Sequence, residues 1–333
     1  MPTSENRLIQ LLGQRYPAES PLLKKGIGDD AAVIHPPGAK EFWLVTTDML
    51  VETVDFVREW TNPKQLGRKS ISVNLSDLAA MGARPRFFTV SMAIPAHVAE
   101  RWIVEFHDGL TEKGNLQGAH LVGGDLSRAE KHIVISVTAM GESKNRKVLY
   151  RSGGEAGDLF YVTGELGRSA AGLRLLRKSG VRTRSRSGKE AIQAHRDPEP
   201  RCDAGLWLAQ CGFVSCMMDL SDGLSMDLPR LCAASGVGAE IRVSNLPVFP
   251  GSALWGCDPV ELALNGGEDY ELLFAVPKSR SRILEKEYPA TLPRITRIGE
   301  MTSNVGSVWA IGADEKRYRL PERGYDHFRT AVD

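Results

Sequence analysis

Alternating apolar and polar positions mark strands at residues 87–94 and 132–140. Residues 42–47 read as a buried strand running into Asp48. Pro63 suits a first helical position and Gly82 the position just past a helix end, so a helix is expected between them. Asn74 and Asp77, three residues apart, share one face of it. A second helix is expected at 98–116, then a short strand at 119–122 ending in Gly123-Gly124-Asp125. The polar, Lys-rich stretch 141–150 reads as a boundary. Beyond it come a strand at 158–163, a helix from Ser169, a short strand at 217–220, Ser221-Asp222-Gly223 and a helix to about Ala234. Strands at 271–276, 294–299 and 308–311 complete a mixed sheet. The expected class is α/β followed by α+β, in two domains at 1–146 and 147–333.

A length of 333 residues agrees with two domains at about 150 residues each. Lys plus Arg number 42 and Asp plus Glu 41, a net charge of +1, which argues against broad electrostatic binding to nucleic acid or an acidic membrane. The local exception is the basic stretch 174–189, with Arg182 inside it; it has no interleaved aromatics and is expected to be a solvated loop. Five cysteines with no CxxC pair fit neither a disulfide framework nor a zinc site, and suit a reducing cytosol. The first six residues lack a signal-peptide pattern, and no apolar run approaches the ~20 residues that span a bilayer, so a cytoplasmic location is expected.

The positions of the acids are the informative feature. Aspartates sit beside Gly, Ser or Thr in Gly28-Asp29-Asp30, Thr46-Thr47-Asp48, Asn74-Leu75-Ser76-Asp77, Gly123-Gly124-Asp125, Asp219-Leu220-Ser221-Asp222 and Gly266-Gly267-Glu268-Asp269. Capping or turn formation accounts for any one of them. Six such sites, each next to an apolar strand, point to strand ends whose carboxylates converge on one edge. Like charges brought together raise each other's pKa. Oxygen ligands without His or Cys suit Mg²⁺, which shares itself with substrate phosphates, while the glycines admit a phosphate close to backbone N–H groups. A nucleotide or other polyphosphate is the expected ligand. No G-x-x-x-x-G-K-[ST] stretch occurs, and Gly26-Ile27-Gly28 follows Lys24-Lys25 rather than a hydrophobic strand, so P-loop and dinucleotide-binding readings are weak.

These blocks resemble the thiamine-monophosphate kinase family, in the superfamily that also holds aminoimidazole ribonucleotide synthetase. The resemblance runs through Gly26 to Ala32, Thr46 to Glu52, Val73 to Ala83, Gly123 to Asp125, Pro198 to Arg201, Asp219 to Leu224, Gly266 to Leu272 and Gly324 to Phe328, in the family's order and over nearly the whole chain. It implies an N-terminal domain that binds ATP and dimerises through its sheet, and a C-terminal domain that closes over the second substrate. The implied reaction carries the γ-phosphoryl of ATP to thiamine monophosphate, giving thiamine diphosphate. By position, Asp30, Thr46, Thr47, Asp48, Asp77, Asp125, Asp219 and Asp222 would hold Mg²⁺. Gly124, Asp125, Arg151 and Ser221 would contact ATP, and Asp55, Glu268 and Tyr325 the thiamine phosphate. The family usually has His-Phe where this chain has Asp55-Phe56; an acid there meets a cationic thiazolium or repels a phosphate. No acid–base or nucleophilic residue is expected, because a phosphate acceptor is already anionic near neutral pH. Another ATP-dependent synthetase of the superfamily and a non-catalytic nucleotide-binding protein are the alternatives. No Cys precedes Cys202, unlike the selenophosphate branch.

Overall fold

The computed structural model describes residues 4–180 and 183–328. Its first half contains α1 (Glu5–Arg15), β1 (Leu23–Lys25), β2 (Ala32–Ile34), β3 (Trp43–Val51), α2 (Pro63–Ala80), β4 (Arg84–Pro95), α3 (Glu100–Leu116), β5 (His120–Ala129) and β6 (Val134–Glu142). The strands form one sheet in the order β1-β2-β3-β6-β4-β5, antiparallel except for the β4–β5 pair. The second half contains β7 (Leu159–Thr163), α4 (Arg168–Ser179), α5 (Arg186–Arg196), α6 (Cys202–Cys211), β8 (Cys216–Leu220), α7 (Leu224–Ser235), β9 (Gly238–Arg242), α8 (Pro259–Asn265), β10 (Glu271–Val276), α9 (Ser281–Glu287), β11 (Ile295–Thr302), β12 (Val308–Ile311) and β13 (Arg317–Arg319). Its sheet runs β13-β12-β9-β11-β7-β10-β8, with only β9 and β12 parallel. No helix among the described residues is long and apolar enough to cross a membrane.

Helix α2 is the centre of the molecule. Asn62 and Gln65 close a capping box at its start, with Pro63 at the first helical position. At its end Ala83 N–H donates to Leu78 O and Gly82 N–H to Ala79 O, a Schellman closure. Gly82 takes φ +68°, and a Cβ there would stand 2.2 Å from that of Ala209, so both backbone and packing demand glycine. Ile71, Leu75 and Leu78 pack with Leu44, Val90, Ile135, Val137 and Ala139 from the covered face of the first sheet. The other side of α2 meets β8, β10, α5 and α6 of the second half. Polar side chains on a helix buried nearly all round are costly without partners; α2 buries Lys69, Ser70, Ser72, Asn74 and Ser76, and all but the Ser72 hydroxyl find one.

Three local expectations are corrected. Asp48 is not at a strand end, because β3 continues to Val51, paired with β6 throughout. Gly123-Gly124-Asp125 does not terminate a strand either; β5 runs ten residues, held by β4. The basic stretch 174–189 is not a single loop: its first residues close α4 and its last open α5 behind the Ser185 cap, while Arg182 lies outside the described residues.

Candidate functional site

The loop between β1 and β2 delivers Asp30, α2 delivers Asp77 and β8 delivers Asp219. One carboxylate oxygen from each lies within 4.8 Å of the others. Asp48 adds a fourth acid: it lies two residues beyond Thr46 on the same face of β3, and its N–H donates to Asn74 Oδ1 of α2 at 3.1 Å. Thr46, also on the covered face of the sheet, donates its hydroxyl to Asp77 Oδ2. Ser76 Oγ donates to Asp219 Oδ2 at 2.6 Å. The Asn74–Asp77 face read from the sequence therefore sits at the junction of the two sheets.

This crowding is electrostatically costly. Burial and then the charges of Asp48, Asp219 and Asp30 push Asp77 well above the usual carboxylate range. Burial and then Asp30 do the same to Asp219. Asp48 is pushed up to about 6 by burial and next by Glu5 of α1. Arg151 brings a cation against this cluster: it donates to Asp30 Oδ1 from Nη2 at 2.6 Å and Nε at 3.2 Å, and its N–H reaches Asp29 Oδ1 at 3.1 Å. Asp30 Oδ2 stays buried with no hydrogen-bond donor. An all-oxygen set with an orphaned acceptor and elevated pKa values fits a hard divalent cation.

The remaining acids divide. Asp222 follows β8 and is held by Arg230 Nη1 at 2.5 Å; Arg230 also holds Asp227 at 2.8 Å. Burial pushes Asp227 up to about 7, and its Oδ2 accepts the N–H groups of Asp222 and Gly223, which fixes the turn. Thr47 and Asp125 do not join the cluster. Cross-strand partners share a face: Asp125 pairs with Ser91, which pairs in turn with Ser136, while Thr47 pairs with Thr138, all on the open face of the first sheet. The Thr47 hydroxyl donates to Val137 O at 3.1 Å. Gly124, on edge strand β5, has a structural reason of its own: a Cβ there would fall 2.0 Å from Val90 O. Convergence on one edge thus holds for Asp30, Asp48, Asp77 and Asp219 and not for Asp125.

A second group lies beside the acid cluster. Glu268 sits in the loop between α8 and β10 in the left-handed region, φ +65°, a strained conformation for a side-chain-bearing residue. Its N–H donates to Ser221 O at 2.7 Å, which ties it to the segment carrying Asp222. Its carboxylate pairs with Lys69 Nζ at 2.5 Å and His195 Nδ1 at 2.9 Å. Burial opposes its ionisation, yet the Lys69 and His195 contacts win and hold it down at about 2. Asp55 turns its Oδ2 back to accept Val51 N–H at 2.8 Å, and burial raises its pKa. Tyr325 N–H donates to Asp222 O at 3.0 Å, next to the Ser221 carbonyl that holds Glu268, and burial and then the charge of Asp55 push its phenol up to about 12. Asp55, Glu268 and Tyr325, singled out separately in the sequence, are thus brought to one rim. Sequence reasoning missed Lys69, His195, Glu5 and Asp227. Lys69 carried a signal: a cation seven residues before Ser76, on the same helical face.

Residues 28–143 match the family described as AIR synthase related protein, N-terminal domain, and residues 155–310 its C-terminal domain. The chain is 35% identical to a thiamine-monophosphate kinase of Bacillus subtilis, over 91% of this chain and 93% of the relative. It is 36% identical to that of Escherichia coli K12, over 92% of each. A solved structure of AaThiL complexed with AMPPCP and TMP superposes with a TM-score of 0.84 at 33% identity, covering 98% of this chain and 97% of that one. The chain belongs to the thiamine-monophosphate kinase family, within the AIR synthase related proteins.

Proposed function

We propose that this protein transfers the γ-phosphoryl group of ATP to the phosphate of thiamine monophosphate, producing thiamine diphosphate and ADP in the cytoplasm. The observation that carries this reading is the meeting of Asp30, Asp77 and Asp219, from three distant segments, beside the Asp55–Glu268–Tyr325 rim, in a chain related to kinases of that name. Asp30, Thr46, Asp48, Asp77 and Asp219 would hold Mg²⁺, with Asp222 at the margin; when bound, Mg²⁺ neutralises charge on the phosphate oxygens. Thr47 and Asp125 would serve the nucleotide side from the open face of the sheet. Arg151 presents a planar fork of donors beside Asp30 that suits a phosphate, and Gly124 and Ser221 would contact ATP. On the rim, Glu268 and Asp55 complement a cationic thiazolium, and the Tyr325 ring offers it an aromatic face. The acceptor phosphate needs no base to become nucleophilic, so the chain's task is to place two anions in line.

Both halves build each part of the site: Asp219, Asp222 and Ser221 come from the C-terminal half and Asp55 from the N-terminal half. Edge strand β5 exposes Val122 and Leu126, 59% and 63% accessible. An unpaired apolar edge invites pairing with a second copy, which supports a homodimer. The test is incubation with ATP, Mg²⁺ and thiamine monophosphate, following ADP release and identifying the product by mass. Stoichiometric thiamine diphosphate is expected. ADP release independent of thiamine monophosphate, with no new diphosphate, defeats the reading.

A further inference from the structure

We infer that Lys69, with His195, is a positioning residue for the substrate: it locks the Glu268 carboxylate in the orientation that receives the organic part of the phosphate acceptor. This rests on the proposed function above and extends it to side chains outside the acid cluster. Lys69 is only 3% exposed, although it is a lysine on a helix. A buried ammonium is costly unless its charge is matched. Its match is Glu268 Oε1 at 2.5 Å, with Asp55 O as a second acceptor at 3.4 Å. His195, on α5, takes the other carboxylate oxygen at 2.9 Å while Ser169 Oγ lies 3.2 Å from the same ring nitrogen. Both oxygens of Glu268 are therefore held by separate donors, and its backbone is pinned by Ser221 O in a left-handed turn. Few rotamers survive such constraints.

The lock serves more than the fold. Glu268 keeps a quarter of its side chain accessible, whereas Lys69 keeps 4% and His195 9%. The cation and the imidazole form the buried side of the pair and the carboxylate its accessible side, with Asp55 lining the same cleft as Lys69 and His195 and Tyr325 bonded to Asp222 O beside the Glu268 anchor at Ser221. A small cleft of about 20 Å³ lined by Asp55, Trp60, Lys69, His195 and Arg196 adjoins the lock and brings Asp55 beside Lys69 and His195. Lys69 acts through Glu268 and touches no part of the phosphoryl-transfer centre at Asp77, two helical turns away.

The test is a double-mutant cycle on the full chain, with KM for thiamine monophosphate, KM for ATP and kcat measured for wild type, Lys69→Met, Glu268→Gln and the double variant. Lys69→Met is expected to raise KM for thiamine monophosphate roughly 10–100-fold, the range for losing a group that orients a ligand-binding side chain, and to leave KM for ATP unchanged. The double variant is expected to match Glu268→Gln within about twofold, because a residue acting through another adds nothing once that other is gone. Multiplying losses in the double variant, or a fall in kcat with both KM values intact, overturns the inference. If Lys69→Met alone does not fold, the charge-balanced double variant set against Glu268→Gln decides the same question. A wild-type chain that makes no thiamine diphosphate defeats the functional reading; an active wild type with an unaffected Lys69→Met variant defeats only this one.

Discussion

Replacing Asp48 with asparagine should stabilise the metal-free protein while abolishing its activity. Burial, first, and the charge of Glu5, next, lift Asp48 from 3.8 to about 6. Below pH 3.8 the carboxyl is protonated whether the chain is folded or unfolded, and Asp48→Asn and wild type should be equally stable. As the pH rises toward 6, the unfolded chain gives up the proton and the folded chain keeps it, so the wild type loses stability; above about 6 the loss is complete. A shift of about 2 units at ~1.4 kcal/mol each sets the penalty at about 3 kcal/mol. That bounds the gain in melting temperature at roughly 6–12 °C for a domain of this size. Thermal melts in EDTA at about pH 4, 5.5 and 8 check it: the variant's advantage should be smallest at the lowest pH and largest at the highest. Saturating Mg²⁺ should stabilise the wild type more than the variant and so shrink the difference. An Asp48→Asn variant less stable than wild type in EDTA at the highest pH, or an advantage independent of pH, refutes the electrostatic account of the cluster.

Chelation by EDTA should remove activity and added Mg²⁺ should restore it; turnover untouched by chelation counts against metal-assisted transfer. Asp77→Asn should lower kcat by about 10²–10³-fold with an unchanged far-ultraviolet circular dichroism spectrum, and near-normal turnover at ordinary Mg²⁺ contradicts its place in the cluster. Gly82→Val, which drives a Cβ to 2.2 Å from Ala209 at φ +68°, should cost about 2–4 kcal/mol in urea unfolding; a midpoint equal to wild type argues against the Schellman closure.

What the sequence disclosed follows from how local each cause is. The ends of α2 were legible because Pro63 and Gly82 act within their own turns. The body of β4 was legible from alternation. The ends of β3 and β5 were not: Asp48, Gly123 and Gly124 are poor strand formers in isolation, and pairing with β6 and β4 overrides that preference. The cluster's membership was readable from repeated Asp beside small residues. The exclusion of Thr47 and Asp125 was not, because which face a strand residue occupies depends on register across neighbours. Lys69 was hidden for a different reason: a lysine on a helix is ordinarily solvated, and only the packing of α5 and the Glu268 loop against α2 takes its water away.

One consequence of α2 concerns how the molecule can open. Ser76 fastens to Asp219 and Lys69 to Glu268 from a single stripe of the helix, about 10 Å apart at ~1.5 Å per residue. Two rivets along one rail forbid the C-terminal half from swivelling freely. Arg68 of the same helix adds a third tie, to Asp197 at 2.7 Å, so releasing one fastening leaves the two halves joined. A ligand that meets the accessible side of Glu268 would leave its Lys69 and His195 contacts in place, so the ring-binding end can fill and empty without loosening the joint between the halves.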